Sequence, residues 1–135
     1  MAIIPRHLEL TLWPERFAIS RLAPGNPIPE WATQGSFFSI TRTGDELSVV
    51  CELAQVPASM QAQSGWRVFR VHGPFVLTET GVLSALASPM AEAKLSLFAI
   101  STFDTDYLLV ASETLSDAIT ALERAGHTIH RRRRE

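Results

Sequence analysis

A chain of 135 residues, 46% of them apolar and 19% charged, suffices for one domain or for two small modules sharing a core. That balance marks a folded globular protein and not a disordered one, and a net charge of −2 gives no support to a general nucleic-acid binder. The single cysteine, Cys51, excludes a disulfide framework, so a reducing compartment is expected. The opening MAIIPRHLEL has no apolar core ahead of its charges, which does not suit a signal peptide. No apolar run approaches the ~20 residues that cross a bilayer. A cytoplasmic protein is expected, with neither membrane nor nucleic acid among its partners.

In chain order, residues 7–12 alternate weakly, and RFAISRL at 16–22 reads as a strand after the break at Trp13-Pro14. Pro24, Gly25, Pro27 and Pro29 make the next stretch a connector. Residues 37–41 and 47–51 form a hairpin with RTGDE at its tip. Cys51 lies in that apolar strand pattern, where an inert buried thiol is expected. Residues 56–65 are polar and irregular, with a short helical turn near 58–62. Residues 66–71 and 74–78 are extended, interrupted at Gly73.

From Thr80 the period changes. Val82, Leu83, Leu86, Met90 and Ala93 recur at steps of three and four, which predicts an amphipathic helix over residues 80–93. Pro89 is expected to kink or restart it, at ~3 kcal/mol without compensation. LFAISTFDTDYLLVAS, residues 97–112, reads as strand, polar tip and strand. Its tip crowds Thr102, Phe103, Asp104, Thr105 and Asp106 together, more polar chemistry than a turn needs. Leu115, Ala118, Ile119 and Leu122 mark a second helix, with Thr114 and Asp117 as its cap and Gly126 as its terminator. A short strand closes at 127–130. The arginine run at 131–134 reads as a solvated tail, with an RNA or membrane-surface contact as the other reading.

From Phe75 the order is therefore strand, helix, strand, strand, helix, strand, the ferredoxin-like βαββαβ arrangement. A shift of 60 positions lays the first hairpin on the second: Phe38 on Phe98, Ile40 on Ile100, Glu46 on Asp106, Val50 on Val110. Self-similarity at a fixed offset signals duplication. The expected fold is α+β, two tandem ferredoxin-like modules. The first, at 1–65, is degenerate because the proline-rich connector replaces its first helix; the second spans 66–130, and 131–135 form the basic tail.

These residues resemble a known family. Glu79-Thr80-Gly81-Val82 ahead of a helix, followed by AISTFDTDYLLV, resembles the ACT modules of CASTOR-like proteins, and FFSITRTGDELSVVC resembles the matching segment of the same group. The STF-x-x-D pattern is also similar to the regulatory modules of aspartate kinases. The resemblance covers most of residues 8–129. It implies tandem ACT modules that bind a small amino acid at their interface, without catalysis or cofactor, commonly as a homodimer and with a regulated protein partner. Carried over residue by residue, the binding set is Glu79, Gly81 and Val82 at the strand-to-helix turn and Thr102, Phe103 and Asp106 at the hairpin tip. Ser39 and Ile40 match a facing strand. The arginine sensors of the family have four modules and this chain has two, so arginine specificity is not implied. No kinase domain stands beside the modules, so regulation of such an enzyme would act in trans.

The chemistry of these residues suits a free amino acid. Gly81 at a helix start exposes backbone amides to an anion and permits close approach. Asp106 and Glu79 could accept from an ammonium or guanidinium. Thr102 offers a hydroxyl and Phe103 a ring face. Each has a purely structural alternative: Gly81 can simply begin a helix, Glu79 can cap it, Thr102 can be a strand residue, Phe103 can pack under the hairpin, and Asp104 and Asp106 can be solvated turn residues. A structural interaction module without ligand is the rival function.

Asp104-Thr105-Asp106 also has the outline of an aspartate-dependent phosphohydrolase loop, but Lys94 is the sole lysine and lies upstream, and a strand rather than a helix follows. No metal is expected there, since Mg²⁺ usually wants a phosphate substrate as well. His127 and His130, three apart in a strand, point to opposite faces and cannot chelate one ion. No nucleotide, metalloprotease or hydrolase motif is present.

Overall fold

The computed structural model describes residues 6–60, 65–76 and 80–132. Two compact units emerge: one joins the residues up to 14 with those from 67 onward, and the other holds residues 15–66. This departs from a division at 65/66, because the N-terminal strand belongs with the C-terminal unit. β1 (Glu9–Leu12) pairs antiparallel with β5 (Trp66–Val71) and parallel with β8 (Thr128–Arg131). Its alternation sends Leu10 and Leu12 into the core, and Leu8 just ahead of it is buried as well.

After β5 the larger unit continues through α1 (Val82–Glu92), β6 (Phe98–Ser101), β7 (Asp106–Ala111), α2 (Leu115–Arg124) and β8. With β5 as its first strand this is the βαββαβ order. The sheet runs β6–β7–β5–β1–β8, so β1 is inserted between the first and last strands of the module. The expected strand at 74–78 is not the module's first: residues 72–76 carry no strand, residues 77–79 lie outside the described set, and the apolar run of β5 supplies the first strand instead. Val82, Leu86 and Met90 of α1 and Ala118 and Leu122 of α2 pack on Leu10, Phe69, Val71, Leu108 and Val110 of the sheet.

α1 runs through Pro89 without a break. Proline lacks the N–H that would bond the Ala85 carbonyl. That carbonyl accepts instead from Nε2 of the buried His127 at 2.8 Å, while His127 Nδ1 accepts from the Leu8 amide at 3.1 Å. One imidazole thus satisfies two backbone groups and holds its proton on Nε2. Both helices end in the same motif. The Leu95 amide reaches the Met90 carbonyl with Lys94 at φ 59, and the His127 amide reaches the Leu122 carbonyl with Gly126 at φ 96. The expected Thr114 cap does not form: a 3₁₀ turn at Ser112–Thr114 leads into α2, and the Thr114 hydroxyl donates backward to the Ala111 carbonyl at 3.2 Å.

The smaller unit contains β2 (Phe17–Leu22), β3 (Phe38–Arg42) and β4 (Leu47–Glu52), in the order β3–β4–β2, all antiparallel. Its described residues carry no α-helix; short 3₁₀ turns at Glu30–Thr33, Leu53–Gln55 and Ala58–Met60 stand where the other unit has helices. Ala18, Ala32, Leu47, Val49, Cys51 and Val56 form its core. Burial raises the Cys51 thiol to about 11, with Glu52 adding to the rise, so the group stays a neutral thiol.

Register corrects the repeat. Arg42 pairs with Leu47 and Ser101 pairs with Asp106, so equivalent residues stand 59 apart, not 60. At this offset the buried triplets Val49–Cys51 and Leu108–Val110 coincide, as do the 3₁₀ turns after them. Thr102 is then the counterpart of Thr43, not of Arg42, and the two tips differ in carrying Phe103 for Gly44 and Thr105 for Glu46.

Candidate functional site

The β6–β7 tip is held by its own hydroxyls. The Thr102 amide donates to the Thr105 carbonyl at 2.7 Å, and the Thr102 hydroxyl donates to the same carbonyl at 3.0 Å while accepting from the Thr105 amide at 3.3 Å. Thr43 plays the matching part in the other unit, accepting from the Asp45 and Glu46 amides. Thr105 is buried, and its hydroxyl donates to the Val71 carbonyl at 2.6 Å, tying the tip to β5. At the base of the tip Ser101 Oγ donates to Asp106 Oδ1 at 2.5 Å.

The segment after β5 crosses close beneath. The Phe75 amide donates to the Asp104 carbonyl at 2.7 Å, and a Cβ at Gly73 would lie 3.0 Å from that oxygen. A side chain at that position would crowd the carbonyl, so glycine eases the approach. The chain then reaches Gly81, the residue before α1, at φ 85 with open space around its α-carbon. The first helical bond runs from the Ala85 amide to the Gly81 carbonyl at 3.0 Å. As in any α-helix, the amides of the first turn have no acceptor within the helix, and they carry partial positive charge.

Between this turn and the hairpin tip lies a cleft of about 270 Å³, lined by Phe75, Val76, residues 81–84 and residues 101–106. The structure therefore brings Gly81, Val82, Thr102, Phe103 and Asp106 around one space. Val82 contributes backbone, since its side chain is buried in the core. Phe103 is 76% exposed at the rim and does not pack under the hairpin. Glu79 lies outside the described residues. Ser39 and Ile40 belong to the other unit, on β3. Sequence reasoning missed Phe75, Val76, Leu83 and Ser84; Ser84 in the first turn was findable from the helix start, whereas Phe75 and Val76 arrive only through the crossing at Gly73.

A broader groove of about 900 Å³ runs along α1 beside Arg6, Ser88, Pro89, Glu92 and Arg124, and shares Gly81 and Ser84 with the cleft. The smaller cleft gathers Gly81, Val82, Thr102, Phe103 and Asp106, whereas the groove takes only Gly81 of that set.

Elsewhere on the same unit, the His72 and His130 rings stack with centroids 5.4 Å apart. His130 Nε2 donates to Glu9 Oε1 at 2.9 Å, and His72 bonds the Thr11 hydroxyl at 2.6 Å. The bond from His130, joined by the charges of His130, His72 and His7, lowers the Glu9 carboxyl below its ordinary value. Among the described residues no group of three or more His, Cys, Asp or Glu side chains is placed to hold a metal ion. None of the described helices is long and apolar enough to cross a membrane.

Comparison with known proteins places this geometry in a family. An ACT-domain family model matches residues 61–124, and a model for an N-terminal domain matches residues 15–59. Cytosolic arginine sensor for mTORC1 subunit 1 of Homo sapiens is 29% identical over 76% of this chain, and that of Rattus norvegicus is 28% identical over 88%. The chain spans about a third of the length of the human protein and 42% of the rat one. Protein Atu0741 from Agobacterium tumefaciens has the same fold along nearly its whole length, with TM-score 0.89, 37% identity and coverage of 96% of this chain and 97% of that one. The aspartate kinase of Clostridium acetobutylicum shares the fold at TM-score 0.62 and 10% identity, over 93% of this chain and 36% of the kinase.

Proposed function

This chain belongs to the ACT-domain family as a CASTOR-like member, and we propose that it is a non-catalytic regulatory protein that binds a free amino acid in the cleft between the α1 N-terminus and the β6–β7 tip. The observation that carries the reading is convergence. Gly81 and Val82 and, twenty residues on, Thr102, Phe103 and Asp106 surround one cleft of about 270 Å³. That is slightly below the ~300–1,000 Å³ of pockets for drug-sized ligands, which suits a single amino acid.

In this reading the α-carboxylate sits on the first-turn amides, where backbone donors and the helix dipole both favour an anion. The α-ammonium faces the Asp106 carboxylate, whose Oδ1 is oriented by the Ser101 hydroxyl. Thr102 acts by shaping the tip, since its hydroxyl is engaged within the turn. A homodimer and a regulated protein partner complete the proposal. β6 and β8 each pair on one side only among the described strands, and such edges invite a further strand.

Amino acids that bind the folded state must raise its melting temperature. A thermal-shift survey of the twenty amino acids at millimolar concentration is expected to give a rise with some and none with others. Asp106→Asn is expected to remove that rise while the unliganded melting point stays within a few degrees. A flat survey would sink the reading, as would an unchanged response in Asp106→Asn.

A further inference from the structure

The turns at the two hairpin tips are built alike. In each, a threonine amide donates to the carbonyl three residues on, Thr43 to Glu46 at 2.9 Å and Thr102 to Thr105 at 2.7 Å, and the threonine hydroxyl accepts from amides of the turn. The first tip does this with Glu46 where the second has Thr105, so the turn itself has no need of a threonine there. Thr105 serves a contact outside the turn. It is 6% exposed, and its hydroxyl donates to the Val71 carbonyl at 2.6 Å, where a carboxylate could only accept. The neighbouring Asp104 carbonyl takes the Phe75 amide at 2.7 Å, so two successive tip residues are bonded to β5 and the segment that follows it. Asp106 comes next, in phase with Leu108 and Val110, which pack on the helices, so it stands on the side of the sheet that carries α1.

We propose that Thr105 is a positioning residue for the cleft, whose buried hydroxyl fixes where the Asp106 carboxylate stands relative to the first-turn amides of α1. The inference rests on the amino-acid reading above and deepens it. The α-carboxylate and α-ammonium of an amino acid are joined through one carbon, so the groups that hold them must keep one separation. A tip that wandered would have to be ordered by the ligand, and that ordering would be subtracted from the affinity. Fastening the tip to β5 beforehand removes this cost, and it asks no contact with the ligand from a hydroxyl already engaged with Val71.

The test is isothermal titration of the twenty standard amino acids into the full chain and into Thr105→Val, Thr105→Ser, Gly73→Ala and Val49→Ala, at a temperature where circular dichroism shows each one folded. Thr105→Val keeps the shape and removes the donor, and it is expected to weaken binding by about tenfold. Thr105→Ser keeps the hydroxyl and is expected to stay within about threefold of the parent chain. Gly73→Ala crowds the Asp104 carbonyl from the other side, since a Cβ there lies 3.0 Å from it, and is expected to weaken binding too. It carries the test if Thr105→Val does not fold. Val49→Ala removes core from the other unit and is expected to lower the melting point while affinity keeps the parent value. Unchanged affinity in Thr105→Val, or in Gly73→Ala where that variant stands in, overturns the inference and leaves the amino-acid reading standing. So does an equal loss in Thr105→Ser, which would show that the hydroxyl is not the agent, or in Val49→Ala, which would show that lowered stability is. Binding of none of the twenty by the parent chain overturns both.

Discussion

Glu9 sits where one side chain registers the state of several others. It accepts from His130, and His72 and His7 add their charge, so its carboxyl ionises more readily folded than unfolded. A depressed carboxyl stabilises the fold at pH values above its unfolded pKa and loses that contribution as pH falls through the folded value. Glu9→Gln is therefore expected to lower the melting temperature slightly at pH 6, with the difference from the parent chain shrinking as pH falls from the ordinary carboxylate range through the lower folded value. Melting curves across pH 3–7 check this, and a gap that persists in acid would refute it. The effect is small because both partners are about half exposed. Cys51, by contrast, was legible from sequence: an apolar strand pattern around a lone thiol meant burial, and burial explains its raised pKa.

Among the elements, α1 is the most informative, because its sequence carries a fault that the fold repairs. Pro89 removes a donor from the Ala85 carbonyl, and His127 supplies another from 42 residues away. His127→Ala should cost roughly 2–4 kcal/mol, since it strands both the Ala85 carbonyl and the Leu8 amide. Pro89→Ala alone should change stability by less than ~1 kcal/mol, yet in the His127→Ala background it should recover ~1 kcal/mol by restoring the lost donor. Denaturant unfolding of the four chains checks the coupling, and strict additivity would show that the histidine does not stand in for the missing amide. Periodicity found this helix to within two residues at its start and one at its end. It could not find the repair, because nothing local to Pro89 announces a histidine in the turn after α2. The two hairpins were equally legible, but their alignment was not. Apolar residues alternate in any strand, so offsets of 59 and 60 both gave plausible matches, and only cross-strand pairing chose between them.

For the whole larger unit the decisive feature is β1. It lies between β5 and β8, and Leu8, Leu10 and Leu12 all enter the main core. A chain beginning at residue 15 forfeits these three leucines, each worth ~2–5 kcal/mol if truncated to alanine, against a typical total of ~5–15 kcal/mol. It is expected to show no cooperative unfolding transition by circular dichroism, and a sharp melt in that truncated chain would contradict the role given to β1.

The sequence by itself determined most of the elements and the ferredoxin-like order of the C-terminal module, because helix period, strand alternation and turn chemistry are written locally; Gly81, Val82, Thr102, Phe103 and Asp106 came as candidates from the family resemblance, not from any local pattern. Only the tertiary structure decided that β1 is threaded into that module's sheet and that Phe75 and Val76 complete the cleft. Those outcomes depend on which strand finds which neighbour and how closely two backbones approach. Such choices are made by burial and hydrogen bonding between segments far apart in the chain, so no single stretch of sequence records them.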